Sequence, residues 1–205
     1  MFRLPPIRCM LLVGFLLLAS TAQAAKTILV FGDSLSAGFG IRQEAAWPTL
    51  LHQRLREKQL DYNVVNASIS GETTSGGRAR IEDALARHTP HIVIIALGAN
   101  DGLRGLPLAT MRGNLVAMVD SAQRKKAKVL IVGQRLPPNY GSYAVQFHKI
   151  YGEIAQARKT ALVDFLLEGI AEQPQFFQAD NLHPTAEAQP LLLVNVWRGL
   201  EPLLK

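Results

Sequence analysis

The run His91-Ile-Val-Ile-Ile-Ala-Leu97 sets the fold class. Ile92 to Leu97 is apolar throughout and rich in β-branched residues, so neither side of such a strand can be left to water. A strand with both faces buried belongs in the middle of a parallel sheet, and parallel neighbours need crossover segments, usually helices, that cover the faces. The chain supplies both kinds of segment in alternation. Ile28–Phe31, Asp61–Ala67, Val129–Val132 and the shorter Ala161–Phe165 read as further strands. Between them a helix opens at Trp47-Pro48, with Leu50, Leu51 and Leu55 on one side and Arg54, Arg56, Glu57 and Lys58 on the other. Helices are also expected over 74–88, 107–126 and 143–158, and a last one runs to the C-terminus, with Pro190 marking its start or a kink. Residues 37–46 and 137–141 read as loops, and 168–178 as irregular or short helix. The expected fold is α/β, a three-layer α/β/α sandwich on a five-stranded parallel sheet.

The polar exits of these strands then gather along one edge, where ligands bind in open sheets of this kind. Ser34 follows Ile28–Phe31 within Gly32-Asp-Ser-Leu-Ser36. Gly71 follows the second strand, and Asn100 follows the third within Gly98-Ala-Asn-Asp-Gly102. Periodicity alone leaves the strand order open. A site built from these three loops requires something close to 2-1-3-4-5, the flavodoxin-like order, which sets strands two, one and three side by side. Each residue has an ordinary reading by itself: a turn serine, a turn glycine, an Asx-turn asparagine.

Together they describe a chemistry. A serine hydroxyl needs a base to take its proton, and histidine is the side chain suited to that near neutrality. His52, His88, His91 and His148 fall on helix faces or at a helix–strand junction, whereas His183 lies in the non-helical stretch Asp180-Asn-Leu-His-Pro184. Pro184 biases His183 toward an extended backbone. Asp180 can accept from one ring nitrogen and leave the other facing Ser34. The N–H groups of Ser34 and Gly71 and the Asn100 amide are candidate donors to a developing oxyanion. Gly71, lacking a Cβ, lets the backbone approach closely.

Phe31-Gly-Asp-Ser-Leu-Ser36, Gly71 after Asn66-Ala-Ser-Ile-Ser70, Gly98-Ala-Asn-Asp101 and Asp180-x-x-His183-Pro184 resemble, in order, the four blocks of the SGNH (GDSL) hydrolases. The likeness spans nearly all of residues 25–205. It is closest to the exported branch of acyl-CoA thioesterases, lysophospholipases and arylesterases, to which Ala45-Ala-Trp-Pro48, Asn100-Asp-Gly-Leu-Arg-Gly105 and Arg135-Leu-Pro-Pro-Asn-Tyr-Gly141 are also similar. The resemblance implies Ser34 as nucleophile, His183 as general base, Asp180 as its orienter, and Ser34, Gly71 and Asn100 as the oxyanion hole. It also implies the flavodoxin-like sandwich and a serine esterase acting on small-molecule acyl esters or thioesters with no metal or cofactor. Alternatives on the same fold are a carbohydrate O-acetyl esterase and a non-catalytic lipid- or glycan-binding module. Ala99 stands where many of the branch carry glycine. The resemblance assigns no acyl pocket; the Glu72–Gly77 and Leu103–Leu106 loops are the places to look for one.

Composition excludes several other classes. At 205 residues, 48% hydrophobic and 19% charged, the chain has the makings of one ordered domain. Arg3 and Arg8, the apolar run Met10–Ala19 and Ala22-Gln-Ala24 form a signal-peptide pattern, giving a cleaved segment 1–24 and a single domain 25–205. The run falls short of the roughly 20 residues that span a bilayer. Export, to the periplasm in the first instance or to the medium, follows. Cys9 lies inside the leader, ahead of its apolar core, so the remaining chain has neither disulfide nor thiol nucleophile. The net charge is +6, and the loss of Arg3 and Arg8 leaves +4, with no basic stripe. Arg124-Lys-Lys-Ala-Lys128 ends a predicted helix, where cations suit the dipole. No nucleic-acid partner is expected; transient contact with membrane lipids and a monomeric state are. The glycines of Gly71–Gly77 lack the Lys-Ser/Thr of a phosphate loop, no Gly-x-Ser-x-Gly elbow occurs, and no metal-ligand cluster is visible.

Overall fold

The computed structural model describes residues 25–205; the predicted leader 1–24, its cleavage site and Cys9 lie outside the described residues. Five strands, β1 (Lys26–Gly32), β2 (Tyr62–Asn66), β3 (Ile92–Ala96), β4 (Lys128–Val132) and β5 (Ala161–Val163), form one parallel sheet in the order β2-β1-β3-β4-β5. The alternation of side chains along each strand divides two cores. Ile28 and Val30 of β1, with Ile92, Ile94 and Ala96 of β3, face one side, while Leu29, Phe31, Val93 and Ile95 face the other. Both sides are dry, as the unbroken apolar run of β3 requires.

Helices α2 (Trp47–Glu57) and α7 (Gln189–Leu200) cover the first face, with Trp47, Leu51, Leu55, Leu192 and Val196 buried against the sheet. Helices α3 (Thr74–His88), α5 (Leu108–Arg124) and α6 (Gly141–Arg158) cover the second with Ile81, Leu115, Met118, Phe147 and Tyr151. Pro190 falls in the first turn of α7 and marks its start, where a missing N–H removes no helical bond.

Three local assignments differ from the sequence reading. Ser34 opens a one-turn helix, α1 (Ser34–Ala37), because Asp33 caps it. Asn100 sits in a short helix, α4 (Ala99–Leu103), in place of a plain loop. The last strand ends at Val163 instead of Phe165. Asp164 and Phe165 lie beyond β5: the Asp164 carboxylate is exposed and paired with Arg135, and the Arg135 guanidinium lies over the Phe165 ring.

The register delivers the loops to one edge. β1 pairs with β3 out to Gly32↔Ala96. On its other side the pairing continues past β2, with the Ala67 N–H donating to the Val30 carbonyl (2.8 Å) and the Ile69 N–H to that of Gly32 (3.0 Å). The segment leading to Gly71 is therefore laid alongside the end of β1, next to Ser34.

Candidate active site

Ser34 is held by the turn around it. The Asp33 side chain accepts from the Leu35 N–H (3.1 Å), and its carbonyl accepts from Ser36 (3.1 Å) and Ala37 (2.9 Å), so α1 starts at Ser34. The carbonyl end is tied as firmly. The Trp47 indole donates to Leu35 (3.2 Å) and the Asn66 amide to Ser36 (2.8 Å). Gly38 at φ +73° then ends the turn in the left-handed region. Asp33 is fully buried, and this burial raises its carboxyl from 3.8 to about 7, with Glu72 and Asp101 pushing the same way. Its second oxygen has no partner among the described residues.

Asp180 organises the opposing loop. One carboxylate oxygen accepts from the N–H groups of Leu182 (2.9 Å) and His183 (3.0 Å), and the other lies 2.7 Å from His183 Nδ1. The His183 amide, its ring and the Leu182 amide together hold the Asp180 carboxyl down at about 2. An ionised Asp180 makes Nδ1 the protonated nitrogen. His183 Nε2 is left as acceptor for the Ser34 hydroxyl, 2.9 Å away.

Gly71 takes φ +79°, a conformation open to glycine and strained for other residues. Side chains from around α4 hold the segment that follows it. The Arg104 guanidinium donates to the Gly71 carbonyl (3.1 Å) and the Asn100 amide to that of Glu72 (3.0 Å). The buried Asp101 carboxylate takes both the N–H (2.8 Å) and the hydroxyl (2.6 Å) of Thr74. One N–H of the Asn100 amide remains uncommitted by this contact. Neither Ser34 nor Gly71 donates its N–H to a backbone carbonyl among the described residues.

These groups share one cleft of about 320 Å³, lined by Ser34, Gly71, Asn100 and His183 together with Phe39, Ala99, Leu103 and Leu182. All five residues singled out in the sequence, including Asp180 through His183, are thus brought together. Of the two places proposed for the acyl pocket, Leu103 lines the cleft; the Glu72–Gly77 segment does not, because it turns down into α3. His148 lies elsewhere, between the Gln134 carbonyl (3.1 Å) and Asp164 (3.2 Å). Among the described residues no three His, Asp or Glu side chains gather to hold a metal ion.

Sequence reasoning missed Phe39 and Gln178. The Phe39 ring lies 4.4 Å from that of His183, tilted by 39°. The Gln178 amide donates to the carbonyls of Phe39 (2.8 Å) and Pro184 (3.1 Å). Neither position carries a local pattern that marks it. The capping role of Asp33 was readable, since an Asp before a short Ser-Leu-Ser run is a helix-start signal.

The arrangement can deprotonate Ser34 through His183, hold the imidazolium against Asp180, and offer donors to an oxyanion beside Ser34. Three comparisons bear on it. The model of the GDSL-like Lipase/Acylhydrolase family matches residues 30–190. The chain is 49% identical over 201 residues to Esterase TesA of Pseudomonas aeruginosa, covering 97% of this chain and all of that one. It is 44% identical over 185 residues to an arylesterase of Vibrio mimicus, with 90% and 92% covered. With Thioesterase 1/protease 1/lysophospholipase L1 of Escherichia coli K12 the identity is 39% over 189 residues, with 92% and 89% covered. The crystal structure of TesA superposes with a TM-score of 0.85 at 49% identity, over 87% of this chain and 99% of that one.

Proposed function

The chain belongs to the GDSL-like lipase/acylhydrolase family and is an ester-hydrolysing enzyme, and we propose that it works as a serine esterase through Ser34, His183 and Asp180. The observation that carries this reading is the unbroken chain of hydrogen bonds from the Ser34 hydroxyl through both His183 nitrogens to Asp180. Ser34 Oγ attacks the carbonyl carbon as its proton passes to Nε2. The former carbonyl oxygen takes the negative charge and receives the Ser34 and Gly71 N–H groups and the free N–H of Asn100. Collapse breaks the bond to the alcohol or thiol, which leaves with the proton from Nε2, and an acyl-enzyme remains. Water, deprotonated by the same nitrogen, then releases the acid and restores Ser34.

The substrates are carboxylic esters and thioesters of acyl groups: aryl esters, acyl-CoA thioesters and lysophospholipids. This range rests on the names of the relatives and on the apolar lining supplied by Leu103, Leu182, Phe39 and Ala99. The enzyme acts as a monomer after export through the 1–24 leader, in the periplasm or beyond, with lipid contact confined to substrate capture.

Initial rates on p-nitrophenyl esters from acetate to palmitate, for the wild type and Ser34→Ala purified from cells expressing the full chain, test this. Hydrolysis that vanishes with Ser34 and favours medium or long acyl chains is expected. Activity confined to acetate would point to a deacetylase, and activity that survives Ser34→Ala would remove the nucleophile.

A further inference from the structure

The cleft has two sides, and chemistry assigns them. Nε2 of His183, 2.9 Å from Ser34 Oγ, must hand its proton to the departing oxygen, so the alcohol part of a substrate lies over the imidazole. The oxyanion points at Gly71 and Asn100. The acyl chain is left with the remaining direction, across Ala99 and Leu103 of α4, which line the same cleft. What borders the imidazole therefore meets the leaving group. It is an apolar shelf made of Phe39 and Leu182.

Phe39 has the geometry of a fixed wall. One part of its ring packs on His183 at 4.4 Å, yet 48% of the residue remains exposed, so the ring still has surface to offer. Its backbone is tied by a hydrogen bond. The Gln178 amide holds the Phe39 carbonyl at 2.8 Å, and Gly40 beside it lies so close to Gln178 that a Cβ there would meet the amide oxygen at 2.1 Å. A planar apolar surface beside the point of leaving-group protonation favours partners that are themselves flat and apolar, through offset stacking.

We infer that Phe39 is a specificity-determining residue on the leaving-group side: its ring is what favours an aromatic over an alkyl alcohol part among the esters the cleft takes. The inference rests on the assignment of His183 as the proton donor to the leaving group. It predicts that Phe39 is felt through the alcohol and not through the acyl chain, since the two halves lie along different sides of the cleft.

The test compares the wild type, Phe39→Ala, Phe39→Tyr, Leu103→Ala and Ser34→Ala. Substrates are phenyl, naphthyl and ethyl butyrate, followed by phenyl esters from acetate to octanoate. Each variant's kcat/KM is divided by the wild-type value on the same substrate, which cancels the intrinsic reactivity of phenols over alkanols. Phe39→Ala should lose about tenfold more on the aryl butyrates than on ethyl butyrate, the scale of one apolar contact in a pocket. Phe39→Tyr should keep the aryl preference. Along the acyl series the Phe39→Ala ratio should stay level, while Leu103→Ala should change with chain length. Equal losses on aryl and ethyl esters, or a Phe39→Ala loss that grows with acyl length, would overturn the inference. Hydrolysis that persists in Ser34→Ala would instead overturn the triad beneath it, whereas level aryl and ethyl ratios with full dependence on Ser34 would sink only the role of Phe39.

Discussion

Gln178 bonds the carbonyl of Phe39 across 139 positions of sequence, and through this contact the loop after Ser34 is locked to the loop that carries His183. The same amide reaches the Pro184 carbonyl, and the Gln178 backbone N–H donates to that of His183 at 2.8 Å. Gln178→Ala removes both side-chain bonds, with an expected loss of about 1–3 kcal/mol in stability. Because the imidazole must sit within hydrogen-bond reach of Ser34, kcat should fall by about tenfold with little change in KM. Thermal melts and steady-state kinetics measured together check this. A lowered Tm with wild-type kcat would make the clamp purely structural.

Asn100 and Asp101 are adjacent and should separate cleanly under mutation. The Asn100 amide faces the cleft and spends one N–H on the Glu72 carbonyl, so Asn100→Ala should lower kcat on the order of 10²–10³ with a small change in Tm. Asp101 is buried away from the cleft and accepts both polar groups of Thr74 at the start of α3. Asp101→Ala leaves those donors without an acceptor and should cost about 3 kcal/mol, or roughly 6–12 °C in Tm for a domain of this size. Asp101→Asn should recover part of that loss. Equal Tm shifts in the two alanine variants would contradict the division.

Asp180 is held at about 2 by the amides of His183 and Leu182 and by the imidazole itself. A folded-state pKa below the ordinary carboxylate value adds stability that is complete above about pH 4 and is lost as pH falls toward 2. Asp180 therefore stays ionised at every pH well above 2. Asp180→Asn no longer enforces the Nδ1–H tautomer and should lower kcat on the order of 10⁴-fold. In the wild type, kcat/KM against pH should show no carboxylate inflection between about pH 3 and 5. An inflection there would mean that Asp180 titrates during catalysis.

Much of this was legible in the residues because strand periodicity and strand-exit chemistry are local. Ile92–Ala96 could only be a strand dry on both faces, and a site at the carboxyl ends of such strands follows from their direction. His183 stood out from the other histidines through Asp180 three residues earlier and Pro184 after it, all within one loop. What stayed hidden depends on contacts between distant segments. Nothing near Gln178 announces that it reaches Phe39, and nothing near Phe39 places it on His183. The Glu72–Gly77 stretch was one place to look for the acyl pocket, but Gly77 lies where α3 touches the sheet, and a Cβ there would meet Leu97 at 2.4 Å. Its small size serves packing.

Asp33 precedes Ser34, and its ionisation should be visible in stability. Burial raises its carboxyl from 3.8 to about 7, so between those values the folded protein binds a proton that the unfolded chain has released. Stability therefore falls as pH rises from about 4 to 7 and is level with respect to this group beyond that window. The loss is on the order of 4 kcal/mol when the pKa difference is fully expressed. The Leu35 N–H keeps one oxygen bonded at 3.1 Å, and the other oxygen has no partner among the described residues to favour its ionised form. Asn caps a helix about as well as Asp and carries no charge at any pH, so Asp33→Asn keeps the α1 start while removing the titration. Relative to wild type, Asp33→Asn should gain stability progressively across this window and hold a constant lead above it, as read from chemical denaturation at each pH. Curves that run parallel from pH 4 to 8 would show that Asp33 is ionised in the folded protein throughout, with its second oxygen satisfied in solution.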